Sequence, residues 1–155
     1  MSALAIGDAI PAAKLIDADG ATIDLKELKG APLVVYFYPR ADTPGCTVEA
    51  QDFTRLAPEF AHLGAHVVAV SRDAPAKLCK FRDKYGLTVR LASDEDGSVC
   101  EAFGTWVEKQ NYGRTYMGIE RSTFLFGADG KLAKEWRKVR VKGHAEAVLE
   151  TAKAL

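Results

Sequence analysis

A chain of 155 residues, nearly half of them apolar and about a quarter charged, has the length and composition of one globular domain with a hydrophobic core. Its 21 lysines and arginines balance 21 aspartates and glutamates, so no surplus of either sign favours nucleic acid or a cation store. Three widely spaced cysteines without a C-x-x-C pair support neither a disulfide framework nor a zinc site.

In chain order, the opening MSALAIGDAIPAAKL lacks a basic leader and a long apolar run, so neither a secretory signal nor a membrane span is expected. The expected setting is a reducing one, the cytoplasm, where any disulfide is transient. KLIDADGATIDL reads as a hairpin turning at Asp19-Gly20. LVVYFY, residues 33–38, is a continuous β-rich run, expected as a strand buried on both faces.

Beyond Cys46, the three- and four-residue spacing of Phe53, Leu56, Phe60 and Leu63 predicts a helix, with a kink or break at Pro58. HVVAVS, 66–71, is a second buried strand. A helix follows from Pro75 with Leu78, Phe81 and Tyr85 on one face. A short strand at Leu91-Ala92 and a short helix near Val99–Phe103 come next. STFLFGADGKLAKEW is a second hairpin turning at Asp129-Gly130, and a helix runs from His144 to the end. The basic run Lys134–Lys142 is expected as a solvated strand and loop. With no repeat or linker, one domain over residues 1–155 is expected. It is α/β, with a mixed central sheet flanked by helices, an N-terminal β-hairpin and a thioredoxin-like architecture.

The stretch YPRADTPGCTVEA carries the chemistry. Thr43 is placed to cap a helix with Pro44 at its first position, which puts Cys46 at the third. The unpaired N–H groups and positive dipole end there favour a thiolate, the nucleophilic form. On this argument alone Cys46 is either a reactive thiol or a small buried apolar residue.

Pro39, Thr43 and Cys46 match the P-x-x-x-T-x-x-C motif of peroxiredoxins, and YPRADTPGCTVEAQDF resembles the peroxidatic loop of the peroxiredoxin Q (bacterioferritin comigratory protein) subfamily. NYGRTYMGIERSTFLFGADGK is similar to a later block of that subfamily, with Arg121 just before the strand. The resemblance runs nearly the whole chain. It implies a thiol peroxidase that reduces hydrogen peroxide and organic hydroperoxides without metal, haem or flavin, draws electrons from thioredoxin or a similar dithiol, and is monomeric. Cys46 would attack the peroxide and become a sulfenic acid. Thr43 would hydrogen-bond the peroxide, Arg121 would favour the thiolate and hold the polarised O–O bond, and Pro39 would shield the sulfur. Glu49, one turn after Cys46, would orient Arg121 or serve only as an acid near the helix start.

Where many members carry a resolving cysteine five residues on, this chain has Gln51. Other members place it on the next helix, about where Arg82 stands. Cys79 is one turn earlier and is the first candidate for the resolving thiol; Cys100, expected in the core, is the second. If neither serves, Cys46 works as a one-cysteine enzyme with an external thiol. A peroxide sensor or holdase on the same fold is a further reading, and a cysteine hydrolase would need a histidine base that the sequence does not offer. His62, His66 and His144 are expected at the surface or at strand ends.

Overall fold

The structure, a computed structural model, describes residues 4–155. Its centre is β3 (Leu33–Phe37), five residues all buried. β3 pairs in parallel with β4 (His66–Ser71), which pairs in parallel with β5 (Arg90–Ser93). On its other side β3 pairs antiparallel with β8 (Ser122–Phe126), and β8 with β9 (Leu132–Trp136). The N-terminal hairpin, β1 (Lys14–Asp17) and β2 (Thr22–Asp24), closes the far edge by pairing β1 antiparallel to β5. The result is a mixed seven-stranded sheet in the order β2-β1-β5-β4-β3-β8-β9.

Side chains alternate across β3. Val34, Tyr36 and Tyr38 enter one apolar layer; Leu33, Val35 and Phe37 enter the other. The first layer is covered by α1 (Pro44–Arg55), α2 (Ala57–His62), α3 (Pro75–Tyr85) and α5 (His144–Lys153), through Phe53, Phe60, Leu78, Phe81, Val148 and Leu149. The second is closed by α4 (Ser98–Ala102), Phe103 and the N-terminal segment. Each fully buried side chain of this size contributes about 1.5–3 kcal/mol by leaving water, so the double-sided burial of β3 anchors the sheet.

The break expected at Pro58 lies at Leu56, between α1 and α2, and Pro58 occupies the first turn of α2 where its missing N–H costs nothing. One hairpin was not anticipated: β6 (Trp106–Asn111) and β7 (Arg114–Ile119) turn at Tyr112-Gly113, both at positive φ, and form a separate two-stranded ribbon. Most of its residues are exposed or half-buried, so it carries no apolar alternation to betray it. The basic run is solvated except at Arg137, whose guanidinium donates to the carbonyls of Gly104 and Phe103. Among the described residues no helix is long and apolar enough to cross a membrane.

Candidate active site

β3 delivers the chain to Pro39, an exposed residue just past the sheet, and the turn from Arg40 to Thr43 leads into α1. Thr43 holds the N-cap position in extended conformation, with Pro44 at the first helical position. Its carbonyl accepts the Thr47 N–H at 2.9 Å, so the backbone starts the helix as expected. The hydroxyl does not cap it: Thr43 Oγ1 donates backwards to the Arg40 carbonyl at 2.8 Å. The turn, with Asp42 at φ 61°, brings that carbonyl within reach. The first-turn N–H groups, that of Cys46 included, are therefore left without a side-chain cap and remain directed at the space before the helix.

Cys46 is 2% exposed, and its principal neighbour comes from the other end of the chain. Arg121, immediately before β8, donates from Nη2 to Cys46 Sγ at 3.4 Å and from Nη1 to Glu49 Oε1 at 2.7 Å. The helix spacing puts Cys46 and Glu49 on one face, and the fork of the guanidinium spans both. Gly45 makes room for it: a Cβ there would stand 3.2 Å from Arg121 Nη2. Burial pulls Arg121 down, but Glu49 and Cys46 together hold it above its ordinary value.

Glu49 is 1% exposed, and its second oxygen, Oε2, has no partner. Desolvation outweighs the guanidinium and pushes its carboxyl up to about 7. The two partners thus point opposite ways, Arg121 towards a firm ion pair and Glu49 away from one. The half-satisfied carboxylate decides for the upward direction at Glu49. The hydroxyls of Tyr36 and Tyr38, both fully buried, also lack partners, and burial followed by nearby negative charge raises Tyr36. These tyrosines were not singled out by the sequence, where they read only as strand residues.

His144 departs from the surface or strand-end placement expected of all three histidines; His62 and His66 are exposed as expected. His144 is buried at the start of α5, edge-on to Trp136 and Phe53, with Nε2 2.7 Å from Thr123 Oγ1. Desolvation, then the field of Arg121, lowers it to about 4, so it is a neutral ring at pH 7. It bonds to Thr123 and not to Cys46, and supplies no general base to the thiol.

Glu49 and His144 make opposing contributions to stability. Glu49 binds its proton more tightly folded than unfolded, so its contribution is lost as pH rises from about 4.5 to about 7. His144 binds its proton less tightly folded, so stability is gained as pH rises from about 4 to about 6.5. Glu49→Gln therefore gains stability relative to wild type as pH climbs through 4.5–7, by on the order of 3 kcal/mol. Urea midpoints at pH 4.5, 5.5 and 7 check this; a constant difference between the two proteins refutes it.

The remaining cysteines stand apart from this cluster. Cys79, half-buried on α3, has Arg82 Nη2 at 3.3 Å and Asp83 Oδ2 at 3.8 Å from its sulfur, and Arg82 is itself tied to Asp19 and Asp83. Cys100 is fully buried on α4, and burial followed by Asp94 raises its thiol far above the ordinary range. All three thiols are free. Among the described residues no group of three or more His, Cys, Asp or Glu is arranged to hold a metal ion.

A cysteine at a helix start faces an arginine brought from before a distant strand, and residues 6–135 match the AhpC/TSA family. The chain belongs to the AhpC/TSA family. This peroxiredoxin is 46% identical over 148 residues to peroxiredoxin Bcp of Bacillus subtilis, covering 96% of this chain and 94% of that one. Its fold superposes on the bacterioferritin comigratory protein of Xanthomonas campestris with a TM-score of 0.88 at 44% identity, over 95% and 98% of the two chains. On peroxiredoxin Q of Xylella fastidiosa the TM-score is 0.93 at 39% identity, over 99% and 98%. The X. campestris structures were solved to explain alkyl peroxide reduction by that protein. The likeness places this peroxiredoxin on the Bcp/peroxiredoxin Q branch, with its thioredoxin-like mixed sheet, and makes it a thiol peroxidase that acts on hydroperoxides with thiol reductants.

Proposed function

We propose that Cys46 is the peroxidatic cysteine, that Arg121 and Thr43 act on the peroxide with it, and that Cys79 resolves the oxidised sulfur. The observation that carries this is the single guanidinium that reaches both the Cys46 sulfur and the buried Glu49 carboxyl. The Cys46 thiolate attacks the terminal peroxide oxygen; an S–O bond forms, the O–O bond breaks, and the departing alkoxide or hydroxide takes a proton from water. Arg121 holds the thiolate and then the charge growing on the leaving oxygen. The Thr43 hydroxyl, donating to the Arg40 carbonyl, keeps its lone pairs free to accept from the peroxide O–H. Pro39 screens the mouth of the site, and Glu49 is a positioning residue for Arg121.

Resolution joins two sulfurs. The Cys79 thiolate attacks the Cys46 sulfenic sulfur, an S–S bond forms, and hydroxide leaves. A disulfide needs its Cβ atoms about 3.5–4.5 Å apart, whereas Cys46 is locked beside Arg121 and Cys79 beside Arg82. Both helix segments must unwind. The break at Leu56 limits the first to the 12 residues of α1. Thioredoxin or a comparable dithiol then reduces the disulfide. The reading takes residues 1–155 as one domain, a monomer in the cytoplasm, with hydrogen peroxide and organic hydroperoxides as substrates and no metal or organic cofactor.

A non-reducing peptide mass map after one equivalent of hydrogen peroxide tests the resolving step. The expected product is a Cys46–Cys79 linked peptide. A sulfenic or sulfinic Cys46 with Cys79 free would replace Cys79 by an external thiol, and a Cys46–Cys100 link would require opening the second core layer.

A further inference from the structure

The turn ahead of Cys46 is fastened to α3 at both ends of that helix. At the start, the Ala41 N–H donates to Asp73 Oδ2 at 2.8 Å, and the same oxygen accepts from the Ser71 hydroxyl at 2.8 Å. Asp73 directly precedes the N-cap of α3 and is braced from within it by Lys77 at 3.2 Å. At the far end, the Asp42 carboxylate accepts from the Tyr85 hydroxyl at 2.6 Å and from Lys84 Nζ at 3.0 Å. Asp42 sits at φ 61°, a left-handed conformation that side chains other than Gly, Asn and Asp rarely adopt. That reversal lets consecutive residues serve the two fastenings, Ala41 through its N–H and Asp42 through its side chain, while Thr43 turns back towards Arg40. Tyr85 is itself seated edge-on against Phe81, whose ring packs on Tyr38 at the end of β3.

We infer that Asp42 is a positioning residue, a latch that holds the Arg40–Thr43 turn ahead of Cys46 against the C-terminal end of α3, so that the Cys46 segment and the helix bearing Cys79 open together. The helix fastened to the peroxide-reacting turn is the same helix that carries the second thiol at its middle. While the latch holds, Cys46 stays beside Arg121, and a sulfenic acid formed there meets the next peroxide in the same place. That second encounter inserts another oxygen: the sulfenic sulfur attacks a second hydroperoxide, a sulfinic acid forms, and the alcohol or water leaves. When the latch parts, the turn loses its hold on Tyr85 and Lys84, α3 loses its last-turn partners, and both sulfurs are released at once. Only the competition between the disulfide and the sulfinic acid rests on Cys79 as resolving thiol; the coupled opening does not.

The test uses the full chain and two variants. Asp42→Gly keeps the positive φ and removes the carboxylate; Tyr85→Phe keeps the ring on Phe81 and removes only the hydroxyl. Hydrogen exchange of the reduced proteins, read by mass spectrometry, is expected to quicken about fivefold in residues 40–50 and in residues 75–85, in both variants. The cross-effects decide: Tyr85→Phe must loosen the turn, and Asp42→Gly must loosen the helix. Acceleration confined to the segment that carries the substitution overturns the latch. After one fixed peroxide challenge, both variants are also expected to show a several-fold lower ratio of sulfinic Cys46 to Cys46–Cys79 disulfide. An unchanged ratio, in a wild-type protein that does form the disulfide, likewise overturns it. A wild-type protein that forms no such disulfide removes the proposed resolving step, and the exchange result then judges the latch alone.

Discussion

Arg121→Ala lowers kcat/KM for hydrogen peroxide by about 10²–10³-fold, the loss expected when one preorganised donor to a developing negative charge is removed. Two effects combine. The guanidinium at 3.4 Å from Cys46 Sγ no longer holds the attacking sulfur in place. The charge growing on the leaving oxygen also loses its partner. The same substitution strips Glu49 of its one ion-pair partner, but Glu49, already pushed up to about 7, takes a proton and becomes neutral. Catalysis and stability therefore separate. Arg121→Ala combined with Glu49→Gln should keep the stability of Arg121→Ala or exceed it, without regaining activity. Arg121→Lys should fall between wild type and alanine, since one ammonium cannot imitate a planar fork that reaches Cys46 and Glu49 together. The measurement is stopped-flow peroxide reduction. A rate constant that does not fall in Arg121→Ala removes the arginine from the mechanism.

Cys46→Ser reduces peroxide turnover to the uncatalysed level. A serine hydroxyl stays protonated at this helix start and cannot become the sulfenic acid on which the cycle turns. The substitution is nearly isosteric in a site that is 2% exposed, so the fold, read by circular dichroism, should be retained. The assay is peroxide consumption with dithiothreitol and, separately, with thioredoxin. Retained activity would move the chemistry to another sulfur. Cys100 is a poor candidate, because burial and Asp94 keep its thiol protonated. Cys79 is half-buried and would become the next nucleophile to test.

Much of the site is legible along the chain because its determinants are local. Pro44 after Thr43 starts a helix by covalent geometry, and two residues later, at the third helical position, a side chain must lie in its first turn. The buried run Leu33–Tyr38 announces a central strand because six consecutive apolar residues, too short for a buried helix and rich in Val, Tyr and Phe, fit a sheet covered on both faces. The β6–β7 hairpin escaped because its strands expose both faces, and the one local sign was Gly113 in the turn. His144 escaped for a different reason. Nothing near it in sequence shows that Thr123, Trp136 and Phe53 will close around its ring.

By itself the sequence determined the strands of the main sheet and the helices that cover it, the helix start beneath Cys46 and the family motif that points to a reactive thiol. Each depends on residues within a few positions of one another. Only the tertiary structure decided what surrounds the sulfur. Arg121 is 75 residues from Cys46, and Tyr85 is 43 residues from the Asp42 it grips. The Thr43 hydroxyl chose the Arg40 carbonyl over the helix it was placed to cap. Such contacts carry no signal in residue spacing, because they arise when β8 packs beside β3 and α3 packs on the same face of the sheet as α1. Burial then sets their electrostatics. Glu49 is an ordinary carboxylate in the sequence, and one raised to about 7 once the core has taken its water away.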